Sequence, residues 1–308
     1  MAMRLVILDG HCVNPGDLDW APISSQVETT VYDYTAPEEV IAHIGTAELV
    51  MTNKTVIDRT VLDACPTIRY VGVLATGYNV VDIAECARRG VVVTNVPAYS
   101  TDTVAQYVFA LLLELCHRVG HHNEAVQAGR WSQTHDFCFW DFPGVELAGK
   151  TMGIIGYGRI GQATAKLAHA FGMRVIATSP HGSAPELVPL DTLLAQSDVI
   201  SLHCRLTPEN TGIICRENLQ KMKDGVMLIN TARGQLINAE DLREALLSGK
   251  VSGAALDVMP VEPLPAGDNP LLGLDNCIIT PHIAWAAKEC RQRLMGIAAE
   301  NLRCFMIG

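Results

Sequence analysis

The sequence has no apolar run of bilayer-spanning length, no block of positive charge, and no cysteine pair at redox or metal-ligand spacing. Each absence removes a class of function. A membrane helix needs about 20 consecutive apolar residues, and no run approaches that length. The formal net charge is -10, with Lys and Arg scattered rather than clustered, which argues against a nucleic-acid footprint. The 10 cysteines lie far apart, without a C-x-x-C or a His/Cys ligand spacing. We therefore expect reduced thiols, a cytoplasmic protein and no metal. Cys116, Cys204 and Cys277 sit inside apolar runs and are expected as small core residues. His117 and His121 fall four apart with no third ligand, and are read as cations closing a helix C-terminus. Met1 to Gly10 carries one Arg before Leu-Val-Ile-Leu-Asp-Gly, too short for a secretory segment, and reads as a first strand.

What is present is a chain of 308 residues, 49% hydrophobic and 18% charged, enough for a sizeable core and two domains. Residues 1 to about 100 alternate strand and helix. The expected elements are strands at Arg4–Leu8, Val27–Tyr32, Ala47–Met51, Tyr70–Leu74 and Val91–Thr94, with helices at Pro37–Ile44, Asp58–Ala64 and Asp82–Arg89. The strands are apolar runs rather than alternating patterns, as in parallel sheets covered on both faces.

The second half is built around Thr151 to Gly161. A short apolar run enters Gly156-x-Gly158-x-x-Gly161, a helical pattern follows over Gln162–Phe171, and a second strand spans Met173–Thr178. Gly156 permits the tight turn, Gly158 clears the approach of a pyrophosphate, and Gly161 lets helix and strand pack closely. The free N–H groups of the helix start complete a dinucleotide site. Further strands are expected at Asp198–His203, Val226–Asn230, Gly253–Asp257 and Cys277–Thr280, with a helix at Ala239–Ser248 ending at Gly249.

Between the halves, Asp102–Arg118 reads as a long helix with few polar faces, buried between two domains. From Gly120 to Lys150 the pattern lapses, and Trp131, Phe137, Phe139, Trp140 and Phe142 gather in an irregular stretch. Such an arm is expected to be an interface or lid, and pairing of two copies is the simplest way to cover it.

Ligands in doubly wound sheets lie beyond the carboxyl ends of the strands. Three of those ends carry a group suited to catalysis: Thr231-Ala232-Arg233-Gly234, Val258-Met-Pro-Val-Glu262-Pro263 and Pro281-His282. An Arg, a Glu and a His in successive strand-end loops point to chemistry over a nicotinamide ring.

With Gly156-Tyr-Gly-Arg-Ile-Gly161, Leu228-Ile-Asn-Thr-Ala-Arg-Gly234, Asp257-Val-Met-Pro-Val-Glu-Pro263 and Thr280-Pro-His-Ile-Ala-Trp285, the sequence resembles the D-2-hydroxyacid dehydrogenase family over nearly its whole length. Ala75-Thr-Gly-Tyr-Asn79, Asn95-Val-Pro-Ala-Tyr-Ser100 and His282-Ile-Ala-Trp285 make it most similar to the glycerate dehydrogenase and hydroxypyruvate reductase group. The resemblance implies that His282 is the general acid that protonates the carbonyl oxygen, that Glu262 hydrogen-bonds the imidazole and favours its charged form, and that Arg233 holds the substrate carboxylate and the reacting carbonyl. It implies that Ala75, Thr76 and Gly77 offer N–H groups to the carboxylate, and that Arg159 and Ile160 touch the pyrophosphate. Thr103, Cys204, Arg205, Asn210, Thr231, Ala232 and Asp257 then line the rest of the cofactor trough, with Arg233 and His282 at its nicotinamide end.

Two positions depart from the family. Ser179 stands at the second strand end, where a ribose-binding acid is expected, and the next acid, Glu186, lies too far along the chain. Without a carboxylate there, nothing repels a 2′-phosphate, so NADP becomes possible beside NAD. Arg205 places a cation near the same ribose. The expected architecture is α/β, with two doubly wound parallel-sheet domains around a cleft. A flavodoxin-like substrate domain takes residues 1–100 and 287–308, and a Rossmann NAD(P)-binding domain takes 101–286. The expected function is reversible, NAD(P)-dependent reduction of a small 2-keto acid such as hydroxypyruvate or glyoxylate by a homodimer. A phosphoglycerate-type dehydrogenase and a dinucleotide-sensing, corepressor-like binding protein are the alternatives.

Overall fold

The first hundred residues assemble one five-stranded parallel sheet in the computed structural model, which describes residues 3–180, 182–267 and 269–308; the edge strand at Glu28–Val31 is polar and partly exposed rather than the apolar run expected. Its strands are β1 (Arg4–Ile7), β2 (Glu28–Val31), β3 (Leu49–Thr52), β4 (Tyr70–Val73) and β5 (Val92–Thr94), in the order β2-β1-β3-β4-β5. β3 and β4 are buried at every position, as apolar runs covered on both faces must be. The helices are α1 (Ala21–Ser24), α2 (Val40–Ile44), α3 (Arg59–Ala64) and α4 (Ile83–Arg89). Asp58 and Asp82 act as N-caps, accepting from Val61 N and Glu85 N at 3.0 and 2.9 Å, so each helix starts one residue later than its polar signal.

The chain crosses to a second unit, Thr101–Ala284. Here α5 (Thr101–His117) and α6 (Val119–Gln127) precede β6 (Thr151–Ile155), α7 (Arg159–Ala170) and β7 (Arg174–Thr178). They are followed by α8 (Leu190–Gln196), β8 (Val199–Leu202), α9 (Arg216–Lys221), β9 (Val226–Asn230), α10 (Ala239–Leu247), β10 (Val251–Leu256) and β11 (Cys277–Ile279). The six strands run parallel in the order β11-β10-β9-β8-β6-β7. Beyond β7 a single bridge, Ala177 with Leu187, stands where a further strand of a doubly wound sheet would lie. The chain leaves β6 in one direction and returns to β8 on the other side, so the topological switch falls between those two strand ends.

A last helix, α11 (Lys288–Ile307), belongs to the first unit, which comprises the residues up to Ser100 together with Trp285–Gly308. Cys290, Leu294, Met295, Ala298 and Leu302 of α11 pack with Leu5, Ile7, Leu49 and Tyr70. Trp285, expected with the nucleotide half, instead packs on the first unit's core and lies edge-on to Tyr99 at 6.5 Å. Arg291 is almost fully buried, and a two-pronged pair with Asp17 at 2.7 Å satisfies its charge.

Four expectations need correction. The helix at the dinucleotide turn begins at Arg159 rather than Gln162, because Gly158 takes the extended N-cap conformation immediately before it. α5 is not buried on all sides: Val104, Val108, Leu111 and Leu112 are buried, but Asp102, Gln106 and Ala110, each four apart, form one exposed stripe. The lapse assigned to Gly120 onward contains α6, which has no buried residue and so no apolar stripe to announce it. Arg118, at φ +49°, breaks the chain between α5 and α6, so His117 and His121 do not share one helix face. His121 pairs instead with Asp141 at 2.6 Å.

The aromatic stretch lies open. Phe137 is 91% and Trp140 70% exposed. It is anchored by Arg130, which forks onto Asp141 at 2.5 and 2.7 Å, stacks over Phe139, and with His121 holds the Asp141 carboxyl well below the usual carboxylate range. Among the described residues no helix is long and apolar enough to cross a membrane, and no group of three or more His, Cys, Asp or Glu is gathered as for a metal ion. Cys116 is buried as expected, whereas Cys204 and Cys277 are only partly buried against the core.

Candidate active site

Gly156 sits at the topological switch. Its N–H donates to Thr178 O of β7 at 2.9 Å, while His203 N, just past β8, donates to Ile155 O at 2.7 Å. A Cβ at Gly156 would lie 2.4 Å from Cys204 N, and φ there is +102°, so only glycine permits this crossing. A Cβ at Gly161 would strike Gly156 O at 2.2 Å, which is the close helix-strand packing expected of the third glycine. Around Gly158 a Cβ would meet nothing within 4 Å, so the backbone there is open to a large ligand. The N–H groups of Tyr157 through Gly161 donate to no partner among the described residues, at the start of a 12-residue helix. That is an anion-binding terminus.

The three catalytic candidates come from loops that pack on one another. Asn230, at the end of β9, accepts from Ala232 N at 2.9 Å and donates to Arg233 O at 2.8 Å, fixing the turn that presents Arg233 to solvent. A Cβ on Gly234 would lie 2.0 Å from Met259 C, so this loop rests directly on the one after β10. There Met259 N donates to Glu262 Oε1 at 2.8 Å, leaving Oε2 to meet His282 Nδ1 at 2.6 Å. With a carboxylate as partner, Nδ1 carries the hydrogen, and Nε2 is the ring nitrogen turned away from Glu262.

His282 has φ +57°, a left-handed conformation that costs a non-glycine residue about 1–3 kcal/mol. Asp257 holds it there. Its carboxylate, 1% exposed, accepts from Thr280 Oγ1, Ile283 N and Ala284 N at 2.6, 2.9 and 2.8 Å, clamping the loop on either side of His282. Expected as a cofactor contact, Asp257 lies beneath the His282 loop as its anchor.

Residues 109–284 match the family described as D-isomer specific 2-hydroxyacid dehydrogenase, NAD binding domain. The chain belongs to this family. A hydroxypyruvate reductase of Blautia hydrogenotrophica is 56% identical over 316 residues, covering 99% of this chain and 98% of that protein. A glycerate dehydrogenase of Methylorubrum extorquens is 40% identical over 88% of this chain and 87% of its own length. Among solved structures, a D-lactate dehydrogenase from Aquifex aeolicus complexed with NAD and lactic acid superposes with TM-score 0.81 at 30% identity, covering 99% of this chain and 96% of that one. This chain is thus an NAD-dependent dehydrogenase acting on a CH–OH group, with a Rossmann nucleotide unit and a second parallel-sheet unit.

Several other expected contacts of this dehydrogenase can be placed. Thr231 Oγ1 is buried without a hydrogen-bond partner among the described residues, an orphan that a polar cofactor group would satisfy. Ala232 is partly buried beside it, and Thr103 is partly exposed near the start of α5. Arg159 and Ile160 form the first turn of α7. Cys204 is half-buried, and burial pushes its thiol up from its ordinary value, so it lines the switch as a neutral group. Arg205 is exposed. Asn210 is spent largely on its own loop, donating to Arg205 O and accepting from Thr207 N, both at 2.7 Å.

The structure overturns the reading of Glu186 as remote. Ala177 N donates to Glu186 O at 2.8 Å, and Val188 N returns a bond to Ala177 O at the same length. The chain after Ser179 therefore folds back along β7. Burial and the facing Glu186 carboxylate together raise the Tyr157 hydroxyl above its ordinary value. An acid does stand beside the glycine loop, reached through a turn closed by Leu187 N donating to Ala184 O at 3.1 Å, which sequence spacing cannot reveal.

On the first unit, the loop after β4 carries the three residues expected to meet the substrate carboxylate. The N–H groups of Ala75, Thr76 and Gly77 donate to no partner among the described residues. Their neighbouring carbonyls are all engaged.

Proposed function

We propose that this dehydrogenase interconverts hydroxypyruvate and D-glycerate, with glyoxylate as a second keto acid. The observation that carries the reading is the Glu262–His282 pair beside the Arg233 loop, on successive strand ends of the sheet that carries the dinucleotide turn. The likeness to a hydroxypyruvate reductase over the full length supports the substrate.

His282 is the general acid. Glu262 fixes the ring by accepting from Nδ1, so Nε2 delivers the proton to the carbonyl oxygen in reduction and removes it from the hydroxyl in oxidation. Arg233 receives the carboxylate and polarises the adjoining carbonyl, a task suited to a guanidinium fork. On the first unit, the N–H groups of Ala75, Thr76 and Gly77 are the receptor for a substrate carboxylate. When bound, the nicotinamide supplies or takes the hydride. The N–H groups at Gly158–Gly161 would hold its pyrophosphate, and Thr231 Oγ1 would bond a polar group of the same cofactor. NAD is the cofactor of choice.

The exposed arm at 130–142 covers a second copy of the chain, giving a two-fold homodimer that works in the cytoplasm. Initial rates with glyoxylate, pyruvate, hydroxypyruvate and larger 2-keto acids, against NADH and NADPH, test the substrate reading. Hydroxypyruvate with NADH should give the highest kcat/KM. A preference for a branched or aromatic keto acid would reject it.

A further inference from the structure

We propose that Asn53 and Asn95 are positioning residues for the substrate carboxylate, acting through the carbonyls of the β4 loop. This deepens the reading in which the N–H groups of Ala75, Thr76 and Gly77 receive that carboxylate, and it rests on it. The argument begins with the peptide unit. In a trans peptide the C=O of one residue and the N–H of the next point in opposite directions. Whatever holds the carbonyls of residues 74, 75 and 76 therefore sets the direction of the N–H groups of residues 75, 76 and 77.

All three carbonyls are held. Leu74 O accepts from Asn53 Nδ2 at 2.6 Å, Ala75 O from Val96 N at 3.0 Å, and Thr76 O from Asn95 Nδ2 at 2.8 Å. Thr76 Oγ1 adds a fourth tie, donating to Val96 O at 3.0 Å. The middle bond belongs to the backbone, whereas the outer two come from side-chain amides at the ends of β3 and β5, the neighbours of β4 in the sheet. The loop is thus gripped from both flanks, with its three N–H groups left for a ligand.

Asn53 is built for this role. It is 2% exposed, and its own N–H donates to Asp9 Oδ1 at 2.7 Å. The Asp9 carboxylate at the end of β1 also accepts from Lys54 N and Thr55 N at 2.5 and 2.9 Å, so the β3 turn wraps a buried anchor. Asn95 is tied through its carbonyl to Asn301 Nδ2 of α11 at 3.1 Å. Each amide is held at its backbone and spends its side chain on a carbonyl of the β4 loop.

The test uses Asn53→Asp and Asn95→Ala in the full chain. The first replaces a buried N–H donor by an oxygen that repels Leu74 O. The second removes one tie near the surface, where folding is not at risk. Expected results are a rise in KM for hydroxypyruvate of roughly tenfold or more for Asn53→Asp and about three- to tenfold for Asn95→Ala. KM for NADH should stay within about twofold, and Tm for Asn95→Ala within a few degrees. Affinity for oxamate, measured with NADH bound, should fall in step with the hydroxypyruvate KM. If the hydroxypyruvate KM is unchanged in Asn95→Ala, or if both KM values and Tm shift together in both variants, the amides are merely structural and the proposal fails. The underlying reading is checked on the parent enzyme alone: equal KM for a keto acid and its methyl ester would overturn carboxylate capture, and the proposal with it.

Discussion

His282 Nδ1 lies 2.6 Å from Glu262 Oε2, and the other Glu262 oxygen accepts from Met259 N at 2.8 Å. One carboxylate therefore fixes both its own loop and the ring that must carry a proton. A glutamine at 262 offers a single acceptor for those two donors. Glu262→Gln should lower kcat by about ten- to a hundredfold while NADH affinity, read by fluorescence titration, stays within about twofold. An unchanged kcat would show that the pair is structural.

Arg233 hangs from a turn fixed by Asn230, with its guanidinium exposed. An ammonium cannot fork onto a carboxylate, so Arg233→Lys should raise KM for hydroxypyruvate and lower kcat together, with kcat/KM falling by about a hundredfold or more. Steady-state kinetics with the acid and its methyl ester check this, because the ester should lose far less than the acid. Equal losses would remove Arg233 from carboxylate binding.

Cofactor choice turns on Ser179 and Glu186. The serine removes a carboxylate from the β7 end, but Glu186 returns to the same strand edge beside Tyr157. Discrimination against a 2′-phosphate needs a repulsive group, and we infer that Glu186 is that group. The parent enzyme should favour NADH, and Glu186→Gln should narrow the NADH to NADPH ratio of kcat/KM by roughly three- to tenfold. Ser179→Asp should widen the ratio by about 1–3 kcal/mol, chiefly by weakening NADPH. A Glu186→Gln ratio equal to that of the parent would assign the exclusion to another group.

Some of this was legible in the sequence, for physical reasons that particular residues illustrate. Gly156, Gly158 and Gly161 lie within one strand-turn-helix unit, so spacing alone reveals their geometry. Arg233, Glu262 and His282 each follow a strand of one sheet, so the order of elements brings their loops together. Glu186 reads as remote in the sequence because its approach depends on the turn from Ala184 to Leu187 and one bridge to Ala177, and neither leaves a periodic trace. Asn53 and Asn95 were silent because a side-chain amide facing a carbonyl looks like any loop asparagine until the strands are paired. α6 was missed for the opposite reason: with nothing buried, it has no apolar stripe to read.

The arm between α6 and β6 exposes Phe137 and Trp140 while Arg130 and Asp141 hold it in shape. A pre-shaped aromatic surface of this kind suits a two-fold pair. Sedimentation at micromolar concentration should give a dimer mass, and Trp140→Asp should shift it toward the monomer. A monomeric parent would contradict the assignment.

The most direct test of the account is a single turnover. NADH bound to the enzyme is mixed with hydroxypyruvate, and loss of its fluorescence is followed in the parent and in His282→Ala. The parent should oxidise the bound NADH, and the variant should do so slower by about a hundredfold or more with unchanged NADH affinity. A parental rate in His282→Ala, or a parent that leaves NADH untouched, would contradict it.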